Sequence, residues 1–223
     1  MIKGVLSETD IKGILSENKI KGELSDDIFN ITWSSAIVAL TIYYMSTQFT
    51  FKFKAPSTST ITIHWGDDTS EDVVGQDGTL ITKTSSYAGA DTYKFWLSGD
   101  ATSLTYIDIS EQNFVSGDFS SWSALTNLTY LSCHETFVSG DVSSWSALTN
   151  LTHLSCSTTS VSGDVSSWSA LTDLTNLICD ATDVEGDVSS WSVLTDLTEL
   201  TISFTNTSGD ISSWSDQSIL TNH

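Results

Sequence analysis

The sequence predicts a mainly β protein in three parts: an N-terminal arm, an antiparallel β-sandwich and a β-solenoid of 23-residue coils. Three observations predict it. Ile-Lys-Gly recurs every nine residues at the start, strand-like alternation fills residues 49–97, and Gly-Asp and Trp recur every 23 residues thereafter. The expected boundaries are 1–26, 27–100 and 101–223.

The arm reads Ile2-Lys-Gly-Val-Leu-Ser-Glu, Ile11-Lys-Gly-Ile-Leu-Ser-Glu and Ile20-Lys-Gly-Glu-Leu-Ser-Asp. Apolar residues at alternate positions followed by a polar turn have strand periodicity. A few such strands cannot bury Ile2, Leu6, Ile11, Leu15, Ile20 and Leu24 by themselves, so these residues are the expected oligomerisation or docking contacts. The competing reading is a disordered, mildly apolar tail, against which stands the strict register. The arm resembles the short I-x-G-x-(I/L)-S repeats near the ends of bacteriophage fibre and other virion proteins. That resemblance implies intertwined chains that tie a fibre to the particle.

In the second part, Phe49-Thr-Phe-Lys-Phe-Lys, Thr60-Ile-Thr-Ile-His-Trp and Tyr93-Lys-Phe-Trp-Leu alternate apolar with polar residues, as half-buried antiparallel strands do. Turn-rich Gly66-Asp67-Asp68 and Gly75-Gln-Asp-Gly78 separate them. The apolar run Ala36 to Met45 is about ten residues, half of the roughly 20 that a membrane-crossing helix needs, and reads as a buried strand. Trp65-Gly66-Asp67-Asp68 and Tyr87-Ala-Gly-Ala-Asp-Thr-Tyr93 resemble the W-G-D-G and Y-x-x-x-G-x-Y signatures of PKD-type immunoglobulin-like domains, with Asp68 in place of the second glycine. Asp67 and Asp68 are read as acceptors for turn amides, with calcium as the alternative.

The third part repeats L-x-x-L-x-x-L-x-C-x-x-T-x-V-x-G-D-V-S-S-W-S. A period of 20 to 29 residues indicates a solenoid whose equivalent residues form columns. The leucine, cysteine, valine and tryptophan columns make the expected core, each tryptophan burying on the order of 200 Å². Cys133, Cys156 and Cys179 share one inward column with Ile202 and are read as small apolar residues, because neither C-x-x-C nor a histidine at ligand spacing accompanies them. The pattern resembles the leucine-rich repeat, and its G-D-(V/I/F) resembles the G-x-I-P of the plant-type class. Thr136, Thr159, Thr182 and Thr205 stand where that family has asparagine.

Two columns are candidate sites. Asp118, Asp141, Asp164, Asp187 and Asp210 would repel one another unless compensated, either by turn amides or by bound calcium; no other cofactor is indicated. The outward strand positions differ from coil to coil: Tyr106 and Asp108; Tyr130, Ser132, His134 and Glu135; His153 and Ser155; Asn176, Ile178 and Asp180; Glu199, Thr201 and Phe204. These form the expected concave binding face, the usual ligand face of the resembled family, with a protein or glycan as ligand. Free drift of solvent-facing positions is the alternative.

Composition excludes other classes. The net charge is −20, all eight lysines lie within the first 94 residues and no arginine is present, so clustered cations for nucleic acid are lacking. His64, His134, His153 and His223 stand near no G-x-S-x-G nucleophile, and phosphate loops are missing, so the chain is not read as an enzyme. The opening residues lack a secretory pattern, which predicts assembly in the cytoplasm. The expectation is a phage fibre or capsid decoration subunit. It would be a homo-oligomer, most simply a trimer, with capsid or tail proteins and a bacterial surface protein or glycan as partners, and without membrane insertion. The alternative is a bacterial cell-surface adhesin.

Overall fold

The computed structural model describes residues 38–42, 48–87, 92–210 and 212, all within one compact unit, Ser35–His223. The arm and its expected contacts lie outside the described residues. No helix among the described residues is long and apolar enough to cross a membrane.

The antiparallel strands are β1 (Val38–Ile42), β2 (Gln48–Lys54), β3 (Thr60–His64), β4 (Ser70–Val74), β5 (Ile81–Ser86) and β6 (Tyr93–Gly99). Alternation decides which side each residue takes. Phe49, Phe51 and Phe53 of β2, Ile61 and Ile63 of β3, and Phe95 and Leu97 of β6 are buried. Phe49 meets Phe95 at 4.9 Å, edge to face, which is a favoured geometry for aromatic rings. Between β3 and β4 the chain turns at Gly66, where φ is +86° and a Cβ would stand 2.5 Å from the Lys94 carbonyl oxygen, so only glycine fits. Asp68 adopts φ 65° in the same turn. The Asp67 carboxylate accepts the Thr69 amide (3.1 Å) and hydroxyl (2.5 Å), as expected of an acidic turn residue. Tyr87 donates its hydroxyl to the Trp65 carbonyl (2.9 Å), and burial pushes its pKa up to about 12.

From residue 101 each coil gives a three-residue strand followed by a second strand. In order these are β7 (Tyr106–Asp108) and β8 (Val115–Asp118), β9 (Tyr130–Ser132) and β10 (Phe137–Asp141), β11 (His153–Ser155) and β12 (Ser160–Asp164), β13 (Asn176–Ile178) and β14 (Asp183–Asp187), β15 (Glu199–Thr201) and β16 (Asn206–Ser208). A 3-10 turn carrying the tryptophan closes each of the full coils, as in Ser143–Ala147. Strands β9, β11, β13 and β15 pair in parallel and in register, so Leu131, Leu154, Leu177 and Leu200 form one buried column, whereas β10, β12 and β14 pair in parallel with a two-residue offset, as in Ser139↔Ser160. Trp145, Trp168 and Trp191 stack 6.2–6.3 Å apart and nearly parallel. Each donates its indole N–H to a carbonyl of the preceding coil, Phe119, Val142 and Val165 respectively, at 3.1–3.2 Å. The three thiols are free and fully buried, and burial raises their pKa values.

The sandwich and solenoid share both sheets. One runs β16-β14-β12-β10-β8-β1-β6-β3-β4, the other β15-β13-β11-β9-β7-β2-β5. β1 pairs antiparallel with β8, and β2 with β7 through Lys52↔Asp108, Phe53↔Ile107 and Lys54↔Tyr106. Pairing therefore changes from antiparallel to parallel near residue 100 while the apolar core continues across it. The sandwich edge strands also satisfy the backbone groups that the first coil would otherwise expose.

Candidate binding face

The outer face of the seven-stranded sheet carries the sequence-expected positions in columns, because parallel register places equivalent residues about 4.8 Å apart. The first column runs Lys54, Tyr106, Tyr130, His153, Asn176, Glu199. Tyr106 and Tyr130 stack at 4.1 Å and 10°, and Tyr130 and His153 at 4.3 Å and 3°. The Lys54 ammonium lies 5.2 Å above the Tyr106 ring, a cation–π distance, and Asn176 donates to Glu199 at 2.6 Å. Stacking consumes the ring faces and leaves edges, hydroxyls and an imidazole toward solvent. Burial, then the neighbouring Tyr130, raises the Tyr106 pKa. Burial lowers that of His153, so the ring is neutral at neutral pH.

The second column is less open than alternation implies. Asp108, Ser132 and Ser155 are only 8%, 1% and 4% exposed, which removes them as first contacts for a ligand. Their own partners cover them. Lys52 binds Asp108 at 2.9 Å, and the Ser110 amide and hydroxyl bind the same carboxylate; these bonds outweigh the burial that would raise its pKa and hold it low. The His134 Nδ1 lies 3.0 Å from the Ser132 hydroxyl and 3.5 Å from that of Ser155. Further along the column, Ile178 and Thr201 are half-buried.

His134 also stands 3.8 Å from the Glu111 carboxylate, giving a serine, a histidine and an acid in sequence. With the serine sealed from solvent and already the neighbour of a fixed imidazole, the trio has no room for a substrate carbonyl and acts as a polar clamp between coils. At the rim, Glu111, Glu135, Thr158, Ala181 and Phe204 all take left-handed φ between 52° and 61°, one per coil. Glu135 is exposed, Asp180 half-buried, and Phe204 is 89% exposed. The hydroxyls of Thr136, Thr159, Thr182 and Thr205 donate to the carbonyl three residues earlier at 2.7–2.9 Å, which closes the turn without asparagine.

The aspartate column belongs to the fold. Asp118, Asp141, Asp164, Asp187 and Asp210 each accept the amide of the serine two residues on, at 2.8–2.9 Å. Hydrogen bonds from that serine's hydroxyl and amide hold the carboxyls below their ordinary range. A Cβ on Gly163 would stand 2.2 Å from the Asp141 carboxylate of the coil before, and φ there is +118°, so Gly-Asp works as one inter-coil joint. Among the described residues no three of His, Cys, Asp and Glu converge as metal ligands.

Lys52, Lys54 and Gln112 were not expected on this face. Alternation in β2 showed both lysines outward, but nothing in the sequence gave the register of β2 against the first coil. Gln112 bonds both the amide and the carbonyl of Thr50 at 2.8 Å.

Parallel x-L-x-(C/I)-x strands in register at a 23-residue period settle the repeat architecture. The coils have the strand-and-turn order that the resemblance to leucine-rich repeats implies. No protein-family model and no curated protein matches the chain. Similar solved structures include internalin C2 of Listeria monocytogenes (26% identity, TM-score 0.44, 53% of this chain and 50% of that one). Internalin F of the same species has 27% identity, a TM-score of 0.39, and 47% and 30% coverage. The leucine-rich-repeat ectodomain of the Arabidopsis thaliana receptor kinase GASSHO1/SCHENGEN3 has 21% identity, a TM-score of 0.45, and 52% and 14% coverage. The chain thus spans half or less of the length of these proteins.

Proposed function

We propose that this protein is a non-enzymatic display subunit that binds a partner through the outer face of its seven-stranded sheet. The observation that carries the reading is the contrast between columns. Core positions repeat the same residue coil after coil, whereas the first outward column changes from lysine through tyrosine and histidine to asparagine and glutamate along one continuous face. Unlike, part-exposed groups on a rigid ladder provide directional hydrogen bonding at little ordering cost, which suits a protein or glycan ligand. The setting we propose is a bacteriophage fibre or capsid decoration subunit, with residues 1–26 joining copies or docking on the particle, residues 27–100 as a PKD-like spacer and residues 101–223 displayed toward the bacterial surface. The regular arm repeat supports the virion setting. The free, buried thiols are compatible with assembly in a reducing compartment. A bacterial surface adhesin is the second reading, supported by the same display face.

The test has two arms. Light scattering on full-length protein and on a variant lacking residues 1–26 is expected to show an oligomer, most simply a trimer, that becomes a monomer; monomers in both samples overturn the anchoring role. Binding of labelled protein to host-range panels of bacteria is expected to fall at least about tenfold in Tyr130→Ala plus Glu199→Ala. Unchanged binding by that variant removes the face from the function.

A further inference from the structure

A second candidate site lies on the other sheet. The β3–β4 turn stands beside the outer face of β3 and β6 and forms a cleft of about 350 Å³ lined by His64, Gly66, Asp68, Thr69, Ser70, Lys94 and Trp96. This volume lies at the small end of the range for ligand sites. His64 and Trp96 are register partners with inward neighbours in the core, so their rings turn outward. The rings are tilted by 56° with centroids 3.4 Å apart, and Ser98 bonds the His64 Nε2 at 2.9 Å. That fixes the imidazole and holds the indole as a part-exposed floor. The wall is the turn whose Gly66 packs on the Lys94 backbone.

The remaining polar groups have tasks or lack them in a telling way. Asp67 is occupied by Thr69, Asp72 by Thr62 and Glu71 by Lys83. Among the described residues, Asp68 and Lys94 have neither a hydrogen bond nor an ion pair from their side chains. The cleft therefore offers an aromatic floor, one free carboxylate, one free ammonium and serine and threonine at the margin. One charge of each sign disfavours a strongly anionic or cationic ligand. A carboxylate that accepts two hydroxyls, an ammonium that donates, and a ring face that packs on C–H groups together match a neutral polyol ring.

We propose that this cleft binds a neutral sugar unit of a glycan, seated on Trp96 and held by Asp68 and Lys94. The site is separate from the seven-stranded face and does not rest on its reading. Burial lowers the His64 pKa, so its ring is neutral at neutral pH and adds a donor or acceptor without charge.

The experiment uses the full chain on a printed panel of neutral oligosaccharides of glucose, galactose, mannose and N-acetylglucosamine, with sialylated and sulfated glycans as a separate arm. Retention on at least one neutral member is expected, reduced about tenfold or more in Trp96→Ala and in Asp68→Gly. Asp68→Gly keeps the test interpretable, because glycine relaxes the left-handed backbone at φ 65° and the variant should melt no lower than wild type. The proposal is overturned by no retention on the neutral panel, by retention confined to the anionic arm, or by full retention in Asp68→Gly. Loss in Tyr130→Ala with retention in Asp68→Gly would move glycan binding to the other sheet and overturn it equally.

Discussion

Trp122 heads the tryptophan column, and it differs from its successors in one atom's surroundings. Its ring is fully buried and stacked on Phe119 at 3.8 Å, yet its indole N–H finds no acceptor, whereas Trp145 donates to the Phe119 carbonyl. The acceptor comes from the coil before, and before Trp122 stands the sandwich. Phenylalanine at position 122 removes a donor that is already orphaned; at position 145 it breaks a buried hydrogen bond to the Phe119 carbonyl, which keeps only the Trp122 amide. Urea denaturation should therefore show Trp145→Phe costing about 1 kcal/mol more than Trp122→Phe, and equal losses would contradict the account. The recurring tryptophan was plain in the sequence, as was its burial. The difference between the first copy and the rest was not, because it depends on what is stacked beneath it.

At the scale of the element, the joint between coils is Gly-Asp-x-Ser, with the serine bonding its own aspartate and its hydroxyl accepting the next coil's aspartate amide, as from Asp164 to Ser143 at 2.9 Å. The carboxyls are held below their ordinary range by these hydrogen bonds, so the charged form is favoured by folding. The sign follows. The contribution is complete above the unfolded carboxylate pKa of about 4 and is lost as pH falls through the lower folded values. Melting temperature should drop on acidification from about pH 5 to about pH 3, and the drop should be shallower in Asp141→Asn plus Asp164→Asn. An identical acid profile would show that the column is not responsible. The period made this column visible, and turn capping was the expectation with calcium as its rival. Its role as the seat for the next coil's glycine needed φ and the inter-coil distance. Likewise, alternation marked Asp108, Ser132 and Ser155 as outward, but it contains no information about the lysine and histidine that cover them.

In the whole molecule, a sandwich and a solenoid that looked separable in sequence share two sheets and one core. The junction pairs Phe53 with Ile107, both buried. Contacts across such a seam make the two parts melt together, although solenoids on their own unfold by nearest-neighbour steps. Hydrogen exchange during thermal unfolding should show β3 and β6 losing protection with β9 and β11. Ile107→Ala should destabilise both by about 2–5 kcal/mol. Two well-separated transitions, or a sandwich untouched by Ile107→Ala, would contradict the shared core. Each half was readable from its own periodicity, antiparallel at two residues and coiled at 23. Their union was not, because an edge strand meeting the first coil repeats nothing.

The inter-coil joint also sets how such a gene can grow. The hydrogen bonds between middle coils join residues 20 to 26 positions apart and recur from coil to coil, so duplication of a coding unit inserts a coil whose joints, tryptophan acceptor and threonine turn are already satisfied. Each duplication lengthens the face by one strand spacing, about 4.8 Å, and supplies fresh outward residues. Reach and surface chemistry can therefore diversify by recombination in fixed steps, while the first coil, bound to the sandwich, stays unchanged.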